Sequence, residues 1–237
     1  MQELRDAMEP LSLVIPTLNE AQTIGSVLAE IPAAYRFDLI VADGGSTDGT
    51  QAIAHAAGAR VLAAGRGYGR ACALGAELAH PDSRVIAFMD GDGADRADLI
   101  DRLARPVLDG TWQLALASRT RGEREPGAML WHQLLAGRAF GLATGLLYGV
   151  PYSDMCAFRA IGRDALRRLD MREATYGWNI EMQMKAARAR MRVLEVPLPY
   201  RRRGGGASKV AGSVPGTLRA GARIAATFVR VAKASGR

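Results

Sequence analysis

Residues 85–95 read VIAFMDGDGAD. The first four are apolar and read as a strand buried on both faces. Two carboxylates, Asp90 and Asp92, follow with one glycine between them, and then Asp95. Three readings compete for this exit from the core. Asp-Gly pairs suit turns that need positive φ. An EF-hand loop needs oxygen ligands at its first, third and fifth positions and glycine at the sixth. Counted from Asp90, those last two are Ala94 and Asp95, so that pattern fails. The third reading is a divalent-cation site in the crevice outside the carboxyl ends of strands, where α/β sheets bind ligands.

Outward from this stretch, strand-like and helix-like runs alternate, which points to a mostly parallel sheet with helices on both faces. Strands are expected at 11–16, 38–43, 59–63, up to Met89, at 113–118 and at 192–200. Asn19 is expected to cap a helix reaching about Ile31, Asp48 the next, and Asp95 one reaching about Leu108. Further helices are expected at 69–79 and 179–190, with MCAFRAI (155–161) between them and an apolar helix over 134–150. Four strand ends carry polar groups: Thr17–Asn19–Glu20, Asp43–Ser46, Asp90–Asp92 and Ser118–Arg119. In a parallel sheet these converge on one edge. GRGYGR (65–70) fails the G-x-G-x-x-G dinucleotide pattern at Arg70 and follows the third strand rather than the first. Its glycines are expected to let the backbone pass close to a ligand, with Arg66 or Arg70 near a phosphate.

The 237 residues suffice for one large domain, and 49% hydrophobic with 23% charged content is ordinary for a globular chain. Two cysteines, Cys72 and Cys156, without metal-like spacing, fit a reducing cytoplasm rather than a disulfide scaffold. The first ten residues lack the apolar core of a signal peptide. No run reaches the roughly 18–20 apolar residues of a membrane span; 134–150 is broken by Arg138 and glycines and reads as a helix lying on something apolar. The net charge is +7, and no acidic residue follows Glu195. Such an end attracts nucleic acid, a phospholipid surface or a phosphorylated substrate. A nucleic-acid module is disfavoured by the absence of any recognised motif and by an aromatic content of 6%. The division expected is a catalytic domain over 1–213 and a basic amphipathic helix over 214–237. In that helix Leu218, Ile224, Phe228, Val229 and Val231 interleave with arginines, a pattern suited to an anionic membrane surface or to packing on the domain.

VIPTLNEA, VADGGSTDGT, GRGYGRACALG, MDGDGAD, ASRTRG, YGWNIEMQMKA and EVPLPYRRRGGGASK occur in this order between about Leu11 and Lys209. Together they resemble family 2 glycosyltransferases, most closely the dolichyl- and polyprenyl-phosphate sugar synthases. The resemblance implies a GT-A fold, a nucleotide-sugar donor and inversion at the anomeric carbon. It implies that Pro16, Glu20 and Asp43 hold base and ribose, and that Asp90 and Asp92 hold Mg²⁺ or Mn²⁺ against the diphosphate. Arg66, Arg203 and Lys209 are expected on the donor side, and Arg119, Arg201 and Asp154 around the acceptor. A polyprenyl phosphate acceptor needs cations such as Arg119 rather than a base; a hydroxyl acceptor needs a base, for which Asp154 and Glu181 are the candidates. Three positions depart from the pattern. Ala94 removes one potential metal ligand, Leu18 replaces a frequent tyrosine so that uridine and guanosine both stay open, and Leu134 replaces an acceptor-side arginine. The function expected is hexose transfer from a UDP-glucose or GDP-mannose type donor to a polyprenyl phosphate, with a soluble acceptor as the alternative. The expected place is the cytoplasm, peripherally on the inner face of the cell membrane.

Overall fold

The computed structural model describes residues 8–205 and 214–234. Strands β1 (Leu11–Thr17), β2 (Asp38–Asp43), β3 (Arg60–Ala63), β4 (Val85–Phe88), β5 (Leu114–Ser118), β6 (Arg159–Gly162) and β7 (Val193–Pro197) form one sheet in the order β3-β2-β1-β4-β6-β5-β7. All neighbouring pairs are parallel except those of β6, which runs antiparallel between β4 and β5. The mostly parallel sheet anticipated from the sequence is present, with this one reversed strand.

Continuous apolar runs bury both faces. On β1, Leu13 and Ile15 point to a layer containing Val27, Ala54 and Leu103 of α1 (Ile24–Glu30), α2 (Thr50–Ala56) and α4 (Asp101–Leu108). Val14 points the other way, to Cys72, Leu169 and Met182 of α3 (Tyr68–Glu77), α6 (Arg163–Leu169) and α7 (Trp178–Arg188). That second layer is closed by α5 (Trp131–Tyr148) and α8 (Val214–Lys233), through Phe140 and Val231. The period of two along a strand thus serves two cores at once.

Three expected caps have other partners. Asn19 sits at φ 52 ahead of α1, whose N-cap is Thr23. Its Oδ1 accepts Thr47 N–H (2.9 Å), and its own N–H donates to Ser46 Oγ (2.8 Å). Asp48 accepts from Thr50 N (3.1 Å) ahead of α2, and also from Ala21 N (3.0 Å). The loops after β1 and β2 are therefore stitched to each other. Asp95 does not cap a helix. It is 5% exposed, turned under the Asp90 loop, and accepts the Cys156 thiol at 3.8 Å.

The C-terminal helix packs on the domain. Thr227 Oγ1 donates to Glu173 (2.9 Å), Arg223 pairs with Glu173 (3.1 Å), and Arg230 reaches both Glu173 (3.1 Å) and Glu181 (3.2 Å). Val231 is buried, and Ile224 and Phe228 pack on the core. The apolar face proposed for a membrane from sequence is thus mostly spent inward; Leu218, Lys209 and the other residues of 206–213 lie outside the described side chains.

Candidate active site

Because β1, β2, β4 and β5 run in one direction, their carboxyl ends share an edge. There a cavity of about 630 Å³ opens. Its sheet side is Pro16, Thr17, Leu18, Gly44 and the Asp90–Gly91–Asp92 loop. That loop lies tight on β1: a Cβ at Gly91 would stand 3.1 Å from Thr17 Cγ2, and Thr23 Oγ1 donates to Gly91 O at 2.7 Å. Glycine between the two aspartates lets the loop lie close on the Thr17 and Ile15 side chains.

Carboxylates crowd this edge. Burial, then the charge of Asp92, pushes Asp90 above its ordinary range. Burial, then the charges of Asp90 and Asp92, pushes Asp95 up as well. Arg203 forks between Asp92 (3.0 Å) and Glu20, and all three residues line the cavity. Asp92 Oδ1 also accepts Ala94 N–H (3.0 Å). The donor set Asp90 and Asp92 consists of hard oxygens whose accumulated negative charge a divalent cation would relieve, so it fits Mg²⁺ or Mn²⁺. Among the described residues no group of three or more His, Cys, Asp or Glu side chains is arranged for a metal. A cation here needs further ligands from a substrate.

Asp43 lies beneath the cavity wall rather than in it. It is 1% exposed and accepts from Thr17 Oγ1 (3.0 Å), Gly45 N (3.0 Å), Ser46 N (2.8 Å) and Gln51 Nε2 (2.6 Å). Burial opposes ionisation, but the Ser46 and Gln51 hydrogen bonds hold its carboxyl below the ordinary value. Its neighbour Gly44 is what faces the cavity.

Arg119, directly after β5, also lines the cavity. Its Nε and Nη2 each lie 2.7 Å from Asp154, whose carboxylate also accepts Arg119 N–H at 2.8 Å, and its guanidinium covers the Tyr200 ring at 5.1 Å. Burial works against the Asp154 charge, but Arg119 holds its carboxyl low. A carboxylate so paired and 2% exposed is a poor base. Glu181, the other base candidate, is not at the site. It is fully buried and accepts from Arg172 N (3.0 Å), Glu173 N (2.7 Å), Lys185 (3.0 Å) and Arg230 (3.2 Å). Arg201 is also elsewhere, paired with Glu30 at 2.7 Å.

Arg66 and Gly67 line the cavity, whereas Arg70 does not. Gly69 has a packing cause besides the one expected. A Cβ at Gly69 would come within 2.1 Å of Glu173 O, and Arg70 N donates to Ala174 O (3.0 Å), so this end of the loop presses on backbone, while Arg66, Gly67 and Tyr68 face the cavity. Sequence reasoning missed Tyr68, His132, Asn179 and Tyr200, all in the lining. His132 Nε2 is buried with no hydrogen-bond partner, as expected of a group awaiting a ligand. The signal for three of them lay in the quoted motifs, since Tyr68 is in GRGYGR, Asn179 in YGWNIE and Tyr200 in PLPY; His132 lies in none.

Residues 12–170 match the model of glycosyl transferase family 2. The chain belongs to that family. An uncharacterized glycosyltransferase of Mycobacterium tuberculosis is 33% identical over 216 residues, 90% of this chain and 94% of the relative. A dolichyl-phosphate hexose transferase of Haloferax volcanii is 31% identical over 201 residues, 83% of this chain and 85% of the relative. Among solved structures, glucosyl-3-phosphoglycerate synthase of M. tuberculosis, in complex with Mn²⁺, UDP-glucose and phosphoglyceric acid, superposes with a TM-score of 0.75. It is 22% identical, with 98% of this chain and 82% of that one covered. The fold is the GT-A type, and the protein is a glycosyltransferase.

Proposed function

We propose that this glycosyltransferase moves a hexose from a nucleoside-diphosphate sugar to the phosphate of a polyprenyl phosphate. The observation that carries this reading is the charge arrangement of the cavity. Its lining carboxylates, Glu20, Asp90 and Asp92, cluster at the sheet edge with Arg203, while Arg119, just past β5 on the same edge, lines the cavity with its carboxylate partner locked beneath it. A hydroxyl nucleophile needs a positioned base, and neither Asp154 nor Glu181 is placed to be one. A phosphomonoester, with its second pKa near 6, is already largely dianionic at neutral pH. It needs orientation by a cation, which Arg119 supplies through the Nη1/Nη2 edge of its guanidinium, the Nε/Nη2 edge being held by Asp154.

Pro16, Leu18 and Gly44 offer a wall for the nucleoside, Arg66 and Arg203 charge for its phosphates. Asp90 and Asp92 would hold Mg²⁺ or Mn²⁺, which neutralises charge on a departing diphosphate when bound. An acceptor phosphate oxygen attacks the anomeric carbon as the bond to the diphosphate oxygen breaks; the bonding pair leaves with the nucleoside diphosphate, and the configuration inverts. The relative that acts with dolichyl phosphate supports a lipid carrier. So do Ala136, Met155, Ile180 and Ile224, which make part of the cavity lining apolar. No helix among the described residues is long and apolar enough to cross a membrane, so access to a lipid would be peripheral.

The test is a donor and acceptor screen. Radiolabelled UDP-glucose and GDP-mannose are supplied with Mn²⁺ or Mg²⁺ and either polyprenyl phosphate or 3-phosphoglycerate. Label entering organic solvent only with the polyprenyl phosphate is expected; label retained in water with phosphoglycerate as the preferred acceptor would replace the lipid.

A further inference from the structure

Helix α5 is apolar on two opposite faces, and the sizes are inverted relative to a helix covering a soluble core. Inward it presents mostly small residues around a single large one, Phe140: a Cβ at Gly141 would fall 1.8 Å from Tyr152 O, and Gly137 and Thr144 are buried beside it. Outward it presents its largest ones. Trp131 is 75% exposed, Leu135 59%, Leu142 66% and Leu146 80%. At 100° per residue these four fall on one stripe, 16 residues long, with Arg138 in its middle. Scattered exposed leucines need no explanation, but a continuous stripe marks an interaction surface.

Three further observations say what covers it. From Pro126 to Ser153 the sequence has no acidic residue. Phe140 on the inward side of α5 meets Phe228 of α8 edge-on at 6.2 Å, so α5 and α8 are neighbours, and α8 carries exposed Arg219 and Lys233. His132 and Ala136 of α5 and Gly221 and Ile224 of α8 line the cavity, so these two helices form part of its wall.

We infer that the Trp131–Leu146 face of α5 is an in-plane contact with an anionic phospholipid leaflet, seating the cavity mouth at the lipid surface. This deepens the lipid-phosphate reading and rests on it for the ligand. Leucines and a tryptophan sink to the acyl boundary, where tryptophan is favoured, and Arg138 extends its stem along the apolar face while its head stays with the phosphates. The cations of α8 reinforce the contact with an anionic leaflet. A second copy of the chain fits less well: a two-fold interface brings like patches together and would set one acid-free, cationic rim against its twin.

The experiment is flotation of the full chain with phosphatidylcholine vesicles, with and without phosphatidylglycerol, comparing wild type with Leu142→Glu/Leu146→Glu. Wild type is expected to float with the anionic vesicles, and the double variant to bind at least about tenfold more weakly, given what burying one leucine contributes. Both proteins are also assayed without vesicles, on a short-chain, water-soluble polyprenyl phosphate, where equal turnover shows an intact site. Equal flotation by both proteins, or by neither, overturns the inference. So does a double variant that passes from dimer to monomer by light scattering with flotation unchanged, which assigns the face to a second copy. No turnover of the short-chain acceptor by either protein, with flotation still lost in the variant, would refute the lipid-phosphate reading while leaving the surface standing.

Discussion

Replacing Asp154 with alanine separates a base from an anchor. The side chain is 2% exposed and receives Arg119 N (2.8 Å), Nε (2.7 Å) and Nη2 (2.7 Å), and Met155 N (2.7 Å). Its removal strands a guanidinium that is itself only 18% exposed. Breaking a buried pair from one side costs about 3–5 kcal/mol, a large share of the ~5–15 kcal/mol that holds a domain folded. For a chain of this size that predicts a melting temperature lower by roughly 6–20 °C. The pH dependence has a definite sign. Because Arg119 holds the Asp154 carboxyl below its ordinary value, its contribution is fully present above the unfolded pKa near 3.9 and fades as pH falls through the lower folded one. Asp154→Ala should therefore lose its deficit relative to wild type in acid. The assay is denaturant unfolding of both proteins across pH, with turnover measured below the variant's midpoint. Asp154→Leu combined with Arg119→Met, which removes both charges, should recover much of the stability while acceptor use stays lost. A variant that melts with wild type yet loses turnover by orders of magnitude would refute the anchor and restore Asp154 as a base.

Asp92→Asn should keep the fold and lose most turnover, and EDTA should silence wild type; undiminished activity in either case, measured by nucleotide release, would remove the metal from the site. Arg119→Lys should lower kcat/KM for the acceptor by about tenfold or more while calorimetric donor affinity stays close to wild type, because a point charge cannot replace the fork. Glu181→Gln should lower stability by about 1–3 kcal/mol, through its buried partners, and leave kcat within a few-fold of wild type; a large loss of kcat without a stability change would return Glu181 to the chemistry. Burial opposes the Glu173 charge, but hydrogen bonds from Thr175, Thr227 and Arg223 hold its carboxyl at about 2. The docking of α8 should thus persist above pH 4.5 and loosen as pH approaches 2, read by hydrogen exchange of its amides.

The strand ends were legible because an apolar run followed by a carboxylate carries both the burial of a strand and the chemistry of its exit. That pattern placed Asp90, Asp92 and the β1 and β2 loops on one edge before any coordinates. Asn19 and Asp95 misled because Asn and Asp serve equally as helix caps and as loop staples, and only the tertiary partners, Thr47 for one and Cys156 for the other, decide. Antiparallel β6 was hidden inside MCAFRAI, since apolar content says nothing about strand direction. Glu181 looked catalytic from its motif, yet the residues that claim it, Lys185 on its own helix and Arg230 on α8, come together only in the fold. The apolar character of 134–150 was plain in the sequence, but its division into a small inward face and a large outward one needed the contacts of Gly141 and the exposure of Leu146.

The most direct test of transfer to a phosphate oxygen is ³¹P NMR of a reaction containing polyprenyl phosphate, nucleotide sugar and Mn²⁺, quenched with excess EDTA and extracted before recording. The account predicts that the acceptor's phosphomonoester resonance is replaced by that of a sugar phosphodiester, with the anomeric configuration of the donor inverted. A phosphomonoester resonance left intact while the sugar appears on a hydroxyl would contradict it.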